Sequence, residues 1–215
     1  MKTLLAGLLA AVFVAGCAQP TSNNTGVYLL LDTSGTYSNE LKKAEQIINY
    51  TLSRLDSLDS FAVARIDTGS FSEQDILAKV TLDDRPSTAN LEKRRFSETV
   101  KNALAHVQPS AYTDITGGLL QAVEYLNEKQ PGKKTIFIFS DLKEDLEKGY
   151  VRNIPVPLKG FEVVALNVTK LRSDNIDPRE YLDRLEHWRK VVEKGGGTWR
   201  VVNDLDRLEG LLPTT

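Results

Sequence analysis

Two runs of this chain, "VYLLLD" at 27–32 and "KTIFIFSD" at 134–141, are almost wholly apolar until they end on an aspartate. A strand with one wet face alternates apolar and polar residues. A continuous apolar run is the pattern of a strand buried on both faces, as in parallel sheets covered by helices on each side. The chain supplies further strands and the covering helices. "FAVARID", "AKVTLDD", "FEVVALNV" and "TWRVVND" read as strands. Leu41, Ala44, Ile48, Thr51, Leu52 and Leu55 recur at helical spacing. So do Leu91, Phe96, Val100, Ala103, Leu104 and Val107, ending before Pro109, and Ile115, Leu119, Ala122, Val123 and Leu126, ending at Pro131-Gly132. A fourth helix starts with Asp177 as cap and Pro178 in the first turn. It carries Tyr181, Leu182, Leu185, Trp188 and Val192 on one stripe and stops at Gly195-Gly196-Gly197. "LDRLEGLL" reads as a short closing helix. The alternation predicts one α/β domain over residues 26–215: a Rossmann-like, doubly wound, mostly parallel sheet flanked by helices.

The first residues follow a different logic. Residues 1–16, "MKTLLAGLLAAVFVAG", place a lysine before an apolar run and then small residues, the layout of a secretory signal and too short for a membrane span. Val14-Ala15-Gly16-Cys17 resembles the lipobox of bacterial lipoproteins, which implies cleavage before Cys17 and lipidation of that cysteine. Cys17 is the only cysteine in the chain, so no disulfide or thiolate metal site is available to the domain. Ala18, rather than an aspartate, after the cysteine points within that resemblance to the periplasmic face of the outer membrane. Residues 17–25 form the lipidated cysteine and a polar linker. At about 3.3–3.6 Å per residue the linker reaches roughly 25–30 Å, which keeps the domain near the membrane surface. The net charge is −2 with basic and acidic residues interspersed, which gives no footing for nucleic acid.

In an open α/β sheet, ligands bind beyond the carboxyl ends of the strands where strand order reverses. If the two apolar strands flank that point, Asp32, Ser34 and Thr36 of "DTSGT" meet Thr113 of "YTDITGGL" and Asp141 of "FSDL". Two carboxylates and three hydroxyls form an all-oxygen set suited to a hard divalent cation, Mg²⁺ (or Ca²⁺ or Mn²⁺). Neutral hydroxyls leave much of such a cation's charge uncompensated, which favours an anionic partner group.

On these residues the chain resembles a von Willebrand factor type A domain with its metal-ion-dependent adhesion site, the D-x-S-x-S … T … D pattern. The resemblance implies a cation engaged by the hydroxyls, with the aspartates often acting through water and a partner's Asp or Glu completing the coordination. Thr36 stands where the pattern has serine; it keeps the hydroxyl but adds a methyl that restricts χ1. The function expected is therefore a lipid-anchored, non-enzymatic binding module for a protein partner.

Alternatives remain open. Asp32 as the nucleophile of a metal-dependent phosphoryl-transfer or hydrolytic enzyme is one, although residue 34 is not the second acid such enzymes use. A metal-free scaffold of an envelope complex is another. Asp, Ser and Gly are turn formers in any case, Thr113 or Asp114 is also placed to cap the following helix, and Asp141 to cap "LKEDLEK". No phosphate-cradling loop or nucleophile elbow is present in the sequence. His106 and His187 read as ordinary surface or half-buried residues, "NIPVPLKG" as a rigid surface loop, and Asp32 as a strand-end polar residue whose loss costs little stability.

Overall fold

The computed structural model describes residues 23–35, 37, 40–67, 69–204 and 210–212. Cys17, Thr36, Ser38 and residues 205–209 of the expected closing helix lie outside them. The elements run β1 (Thr25–Asp32), α1 (Leu41–Arg54), β2 (Ser60–Ile66), β3 (Ile76–Thr81), α2 (Pro86–His106), α3 (Ile115–Lys129), β4 (Lys133–Phe139), β5 (Phe161–Leu166), α4 (Arg179–Lys194) and β6 (Thr198–Val202). They form a six-stranded sheet in the order β3-β2-β1-β4-β5-β6. Every neighbouring pair is parallel except β2–β3, which is antiparallel with a register shift at Val63/Ala64.

The two continuous apolar runs are the two central strands, buried on both faces as their composition requires. Along β1 the pleat sends Tyr28 and Leu30 into the core beneath α3 and α4, and Val27, Leu29 and Leu31 into the core beneath α1 and α2. Each such fully buried large apolar side chain contributes roughly 1.5–3 kcal/mol relative to exposure. Helix α3 lies very close to the sheet. A Cβ on Gly118 would meet the Leu30 side chain at 2.9 Å, and one on Gly117 would meet the Ser70 carbonyl oxygen at 1.9 Å. The "TGG" of "YTDITGGL" therefore lets the start of α3 seat between β1 and the loop after β2.

Four sequence readings need correction. "NIPVPLKG" is not a plain surface loop, because Val156 and Leu158 are buried in the α3–α4 core while Ile154 is exposed. Its alternating large residues straddle the surface, a pattern the flanking prolines mask. "LKEDLEK" forms no helix, so Asp141 caps none. Leu182 faces solvent at 60% exposure, and the buried stripe of α4 is carried by Trp188 and Val192. At the start of α4 the cap position falls on Pro178 rather than Asp177, whose carboxylate still accepts the Arg179 N–H at 3.1 Å. Among the described residues no helix is long and apolar enough to cross a membrane.

Candidate metal centre

Strands β1 and β4 are neighbours whose connections leave in opposite directions, toward β2 and toward β5. Their carboxyl ends therefore meet at the topological switch point of the sheet, where loops diverge and open a cleft. That cleft, of about 260 Å³, is lined by Ser34 and Gly35 after β1, Ser110, Ala111 and Thr113 before α3, Asp141, Lys143 and Asp145 after β4, and Leu171 after β5.

Of the residues singled out in the sequence, Ser34, Thr113 and Asp141 line this one cleft, and Asp32 lies directly behind it at the end of β1. Local bonding explains how each is held. The chain after β1 is pinned to the segment before α3 by the Ser110 N–H, which donates to the Thr33 carbonyl at 2.9 Å. Thr113 exchanges both main-chain hydrogen bonds with Asp145, at 2.7 and 2.9 Å, which ties the loop before α3 to the loop after β4. Asp114, the next residue, caps α3 by accepting the Gly117 N–H at 2.8 Å. Its buried carboxylate also takes a two-pronged hold from Arg152, with Nη2 at 2.6 Å. The capping role belongs to Asp114, so the Thr113 hydroxyl is not spent on it.

Asp32 is fully buried. One oxygen accepts the Ser34 N–H at 2.9 Å and the other accepts the Ser140 hydroxyl at 2.6 Å. Removing its carboxylate would strand the buried Ser140 hydroxyl and the half-buried Ser34 N–H, which costs about 1–3 kcal/mol, so the full burial of Asp32 speaks against the expectation of a cheap substitution. Ser140 also accepts the Leu142 N–H at 2.9 Å, so a single hydroxyl joins the ends of β1 and β4.

Asp141 accepts the Lys143 N–H at 2.9 Å and is 3% exposed. Burial pushes its carboxyl up to about 6, and the nearby Asp32 charge adds to that, against the pull of the Lys143 N–H, Arg184 and Lys143. Asp141 thus sits close to a second carboxylate in a poorly solvated place, which raises the cost of its charge. The residue after Asp141 is unusual too. Leu142 has φ +65, a left-handed conformation costly for a branched side chain, by about 1–3 kcal/mol, and its side chain is buried. Two groups on α4 hold it there. Arg184 Nε donates to the Asp141 carbonyl at 3.1 Å and Trp188 Nε1 to the Leu142 carbonyl at 3.0 Å.

The loop after β1 has its own anchor. Tyr37 is fully buried, packs edge-on against Phe139, and donates its hydroxyl to the Asn167 carbonyl at 2.6 Å. The side chain of Asn167, a residue with φ +52, donates back to the Tyr37 oxygen at 2.9 Å. Burial raises the Tyr37 phenol well above its ordinary value, so it stays a neutral donor.

The donor types at this cleft, hydroxyls beside carboxylates, are compatible with a hard divalent cation. Among the described residues no three carboxylate, imidazole or thiolate groups converge. A cation here would draw on hydroxyl oxygens and water beside two carboxylates, the ligand preference of Mg²⁺-like ions. It would also relieve the mutual repulsion of Asp32 and Asp141. The histidines take no part: both are exposed, His106 bonded to the Asn102 carbonyl and His187 edge-on to Trp188. Sequence reading missed Ser140, Arg184, Trp188 and Asn167. The first is a common turn former beside a louder aspartate. The others lie far along the chain and leave no local signal.

The architecture is that of a von Willebrand factor type A domain. Of the solved structures, a von Willebrand factor type A protein from Catenulispora acidiphila superposes with a TM-score of 0.52 at 16% identity, covering 88% of this chain and 41% of that one. The pilus adhesin SpaC from Lactobacillus rhamnosus GG gives 0.54 at 13% identity, covering 90% and 29%. An aerotolerance-related membrane protein from Bacteroides fragilis gives 0.50 at 13% identity, covering 87% and 96%. The chain thus spans less than half of the first two proteins and nearly all of the third. At these identities the likeness is one of fold. No family model matches the sequence, and no curated protein matches it.

Proposed function

We propose that this protein is a binding module that engages a protein partner through a divalent cation, Mg²⁺ or a similar ion, held by Asp32, Ser34, Thr36, Thr113 and Asp141. The observation that carries the reading is the convergence of Ser34, Thr113 and Asp141 on one cleft with Asp32 buried behind it. When bound, the cation would supply a positive centre for a partner's Asp or Glu carboxylate. Ser34, Thr36 and Thr113 would offer oxygens without charge, while Asp32 and Asp141 would offset the charge. An adhesin among the fold's relatives supports an interaction role. The anchor in this reading is a lipid on Cys17, which holds the domain at the periplasmic face of the outer membrane.

The bonding of Asp32 favours the binding reading over the enzymatic alternative. Asp32 is buried behind the cleft and each of its oxygens accepts a hydrogen bond, a setting that suits a held carboxylate better than an attacking one. The test is a Mg²⁺ titration by calorimetry with and without a glutamate-bearing peptide. Each ligand should tighten the other by the same factor, since coupling is reciprocal. Peptide binding indifferent to chelator overturns the reading. For the anchor, Cys17→Ser should release the protein from the membrane fraction, and unchanged processing and fractionation of that variant contradict the lipidation.

A further inference from the structure

The cleft is held from behind by a helix that does not line it. Arg184 and Trp188 are four residues apart on α4 and so lie on one face, turned toward the end of β4. Arg184 Nε and Trp188 Nε1 donate to two consecutive main-chain carbonyls, those of Asp141 and Leu142. Neither donor is free to wander. Asp174, whose side chain is fully buried, grips both terminal nitrogens of Arg184 at 2.8 and 2.7 Å, and the Trp188 ring is 1% exposed. The pair with Asp174 uses only the terminal nitrogens of Arg184, and its Nε is directed at the site. The peptides on either side of Leu142 are thereby fixed, which keeps that residue at φ +65. The same geometry lets the Asp141 carboxylate fold back onto the Lys143 N–H. A relaxed Leu142 would swing both carbonyls off their donors and turn the Lys143 N–H away from Asp141.

We infer that Arg184 and Trp188 are positioning residues for the Asp141 carboxylate, so that the seating of α4 on the sheet sets how well the cleft holds a divalent cation. The inference rests on the reading of the cleft as a cation site. A packing role alone would need neither indole N–H nor guanidinium Nε aimed at these carbonyls. Val192 supplies the contrast: it is fully buried on the same face of α4, one turn further along, and makes no bond to the β4 end.

The experiment uses the full chain with three variants. Trp188→Phe removes the N–H and keeps an aromatic ring, Arg184→Lys keeps a positive charge beside Asp174 but loses the fork, and Val192→Ala only opens the core. Two quantities are read: Mn²⁺ affinity by electron paramagnetic resonance, and amide exchange at Leu142 and Lys143 without metal. Trp188→Phe and Arg184→Lys should weaken Mn²⁺ binding and speed that exchange about three- to tenfold, the range expected for one lost hydrogen bond. Val192→Ala should lower the melting temperature and leave both readouts at wild-type values. Wild-type affinity and exchange in Trp188→Phe, or equal changes in Val192→Ala, overturn the inference. Faster exchange in the first two variants with no Mn²⁺ bound by the wild type establishes the hold of α4 on Asp141 and overturns the cation reading instead.

Discussion

The ends of β1 and β4 look alike in sequence, each an apolar run closing on an aspartate and a polar turn, yet they are built for different work. At the β1 end Asp32 is sunk completely, and its two oxygens organise the Ser34 N–H and the Ser140 hydroxyl. It acts as the rear wall of the cleft and gives the loop its shape. At the β4 end Asp141 lines the cleft, accepts one main-chain N–H and is left with charge that burial disfavours. The difference follows from what stands behind each strand. The chain after β1 is anchored by Tyr37 on Asn167 beyond β5, whereas the chain after β4 is gripped at its carbonyls by α4. A carboxylate whose oxygens are met by donors is held in place, while one met chiefly by desolvation is disfavoured in its charged form.

The sharpest way to break this contrast is to neutralise each acid. For Asp141 the folded-state carboxyl is raised from 3.8 to about 6, so its ionised form penalises the fold. The penalty is absent below the unfolded value, grows as pH rises between those two values, and is complete above the higher one. Asp141→Asn should therefore gain stability over wild type at pH 7.5 and nothing at pH 3.5. The gain is on the order of 2–3 kcal/mol, because each tenfold change in proton affinity corresponds to about 1.36 kcal/mol. Denaturant titrations at the two pH values measure it. Asp32→Ala should move the opposite way, losing about 1–3 kcal/mol through two stranded donors. If both variants shift stability in the same direction, the two ends are not distinct.

Ser140→Ala tests the link between them. It removes the partner of one Asp32 oxygen and of the Leu142 N–H together, and a loss of about 1–2 kcal/mol is expected by the same unfolding assay. Ser34→Ala should be the mildest for the fold, within about 0.5 kcal/mol, because its side chain is only half-buried at the cleft. Its effect should appear in Mg²⁺ affinity alone, read by calorimetry.

Much of this was legible from local pattern. The six strands, the four helices and the meeting of the β1 and β4 ends follow from apolar runs, helical spacing and strand-end aspartates, because those signals lie within a few residues of each other. What stayed hidden is long-range. Nothing near Trp188 marks it as a donor to Leu142, 46 residues earlier. Tyr37 and Asn167 are 130 residues apart, and the Asp114–Arg152 pair spans two loops. The role of Ser140 depends on the strand pairing that brings it beside Asp32, which no local pattern shows. The depth of Asp32 is hidden for the same reason: a strand-end polar residue is exposed only if nothing folds over it, and here Ser34 and Ser140 close on it.

The central claim is that the two strand ends together hold a divalent cation. The most direct test is Mn²⁺ binding to wild type and Asp141→Asn, followed by electron paramagnetic resonance at pH 7.5 with circular dichroism confirming that both are folded. A single saturable site is expected in wild type and should be lost in Asp141→Asn, although the variant is the more stable protein. Equal Mn²⁺ binding by the two, or none by the wild type, would contradict it.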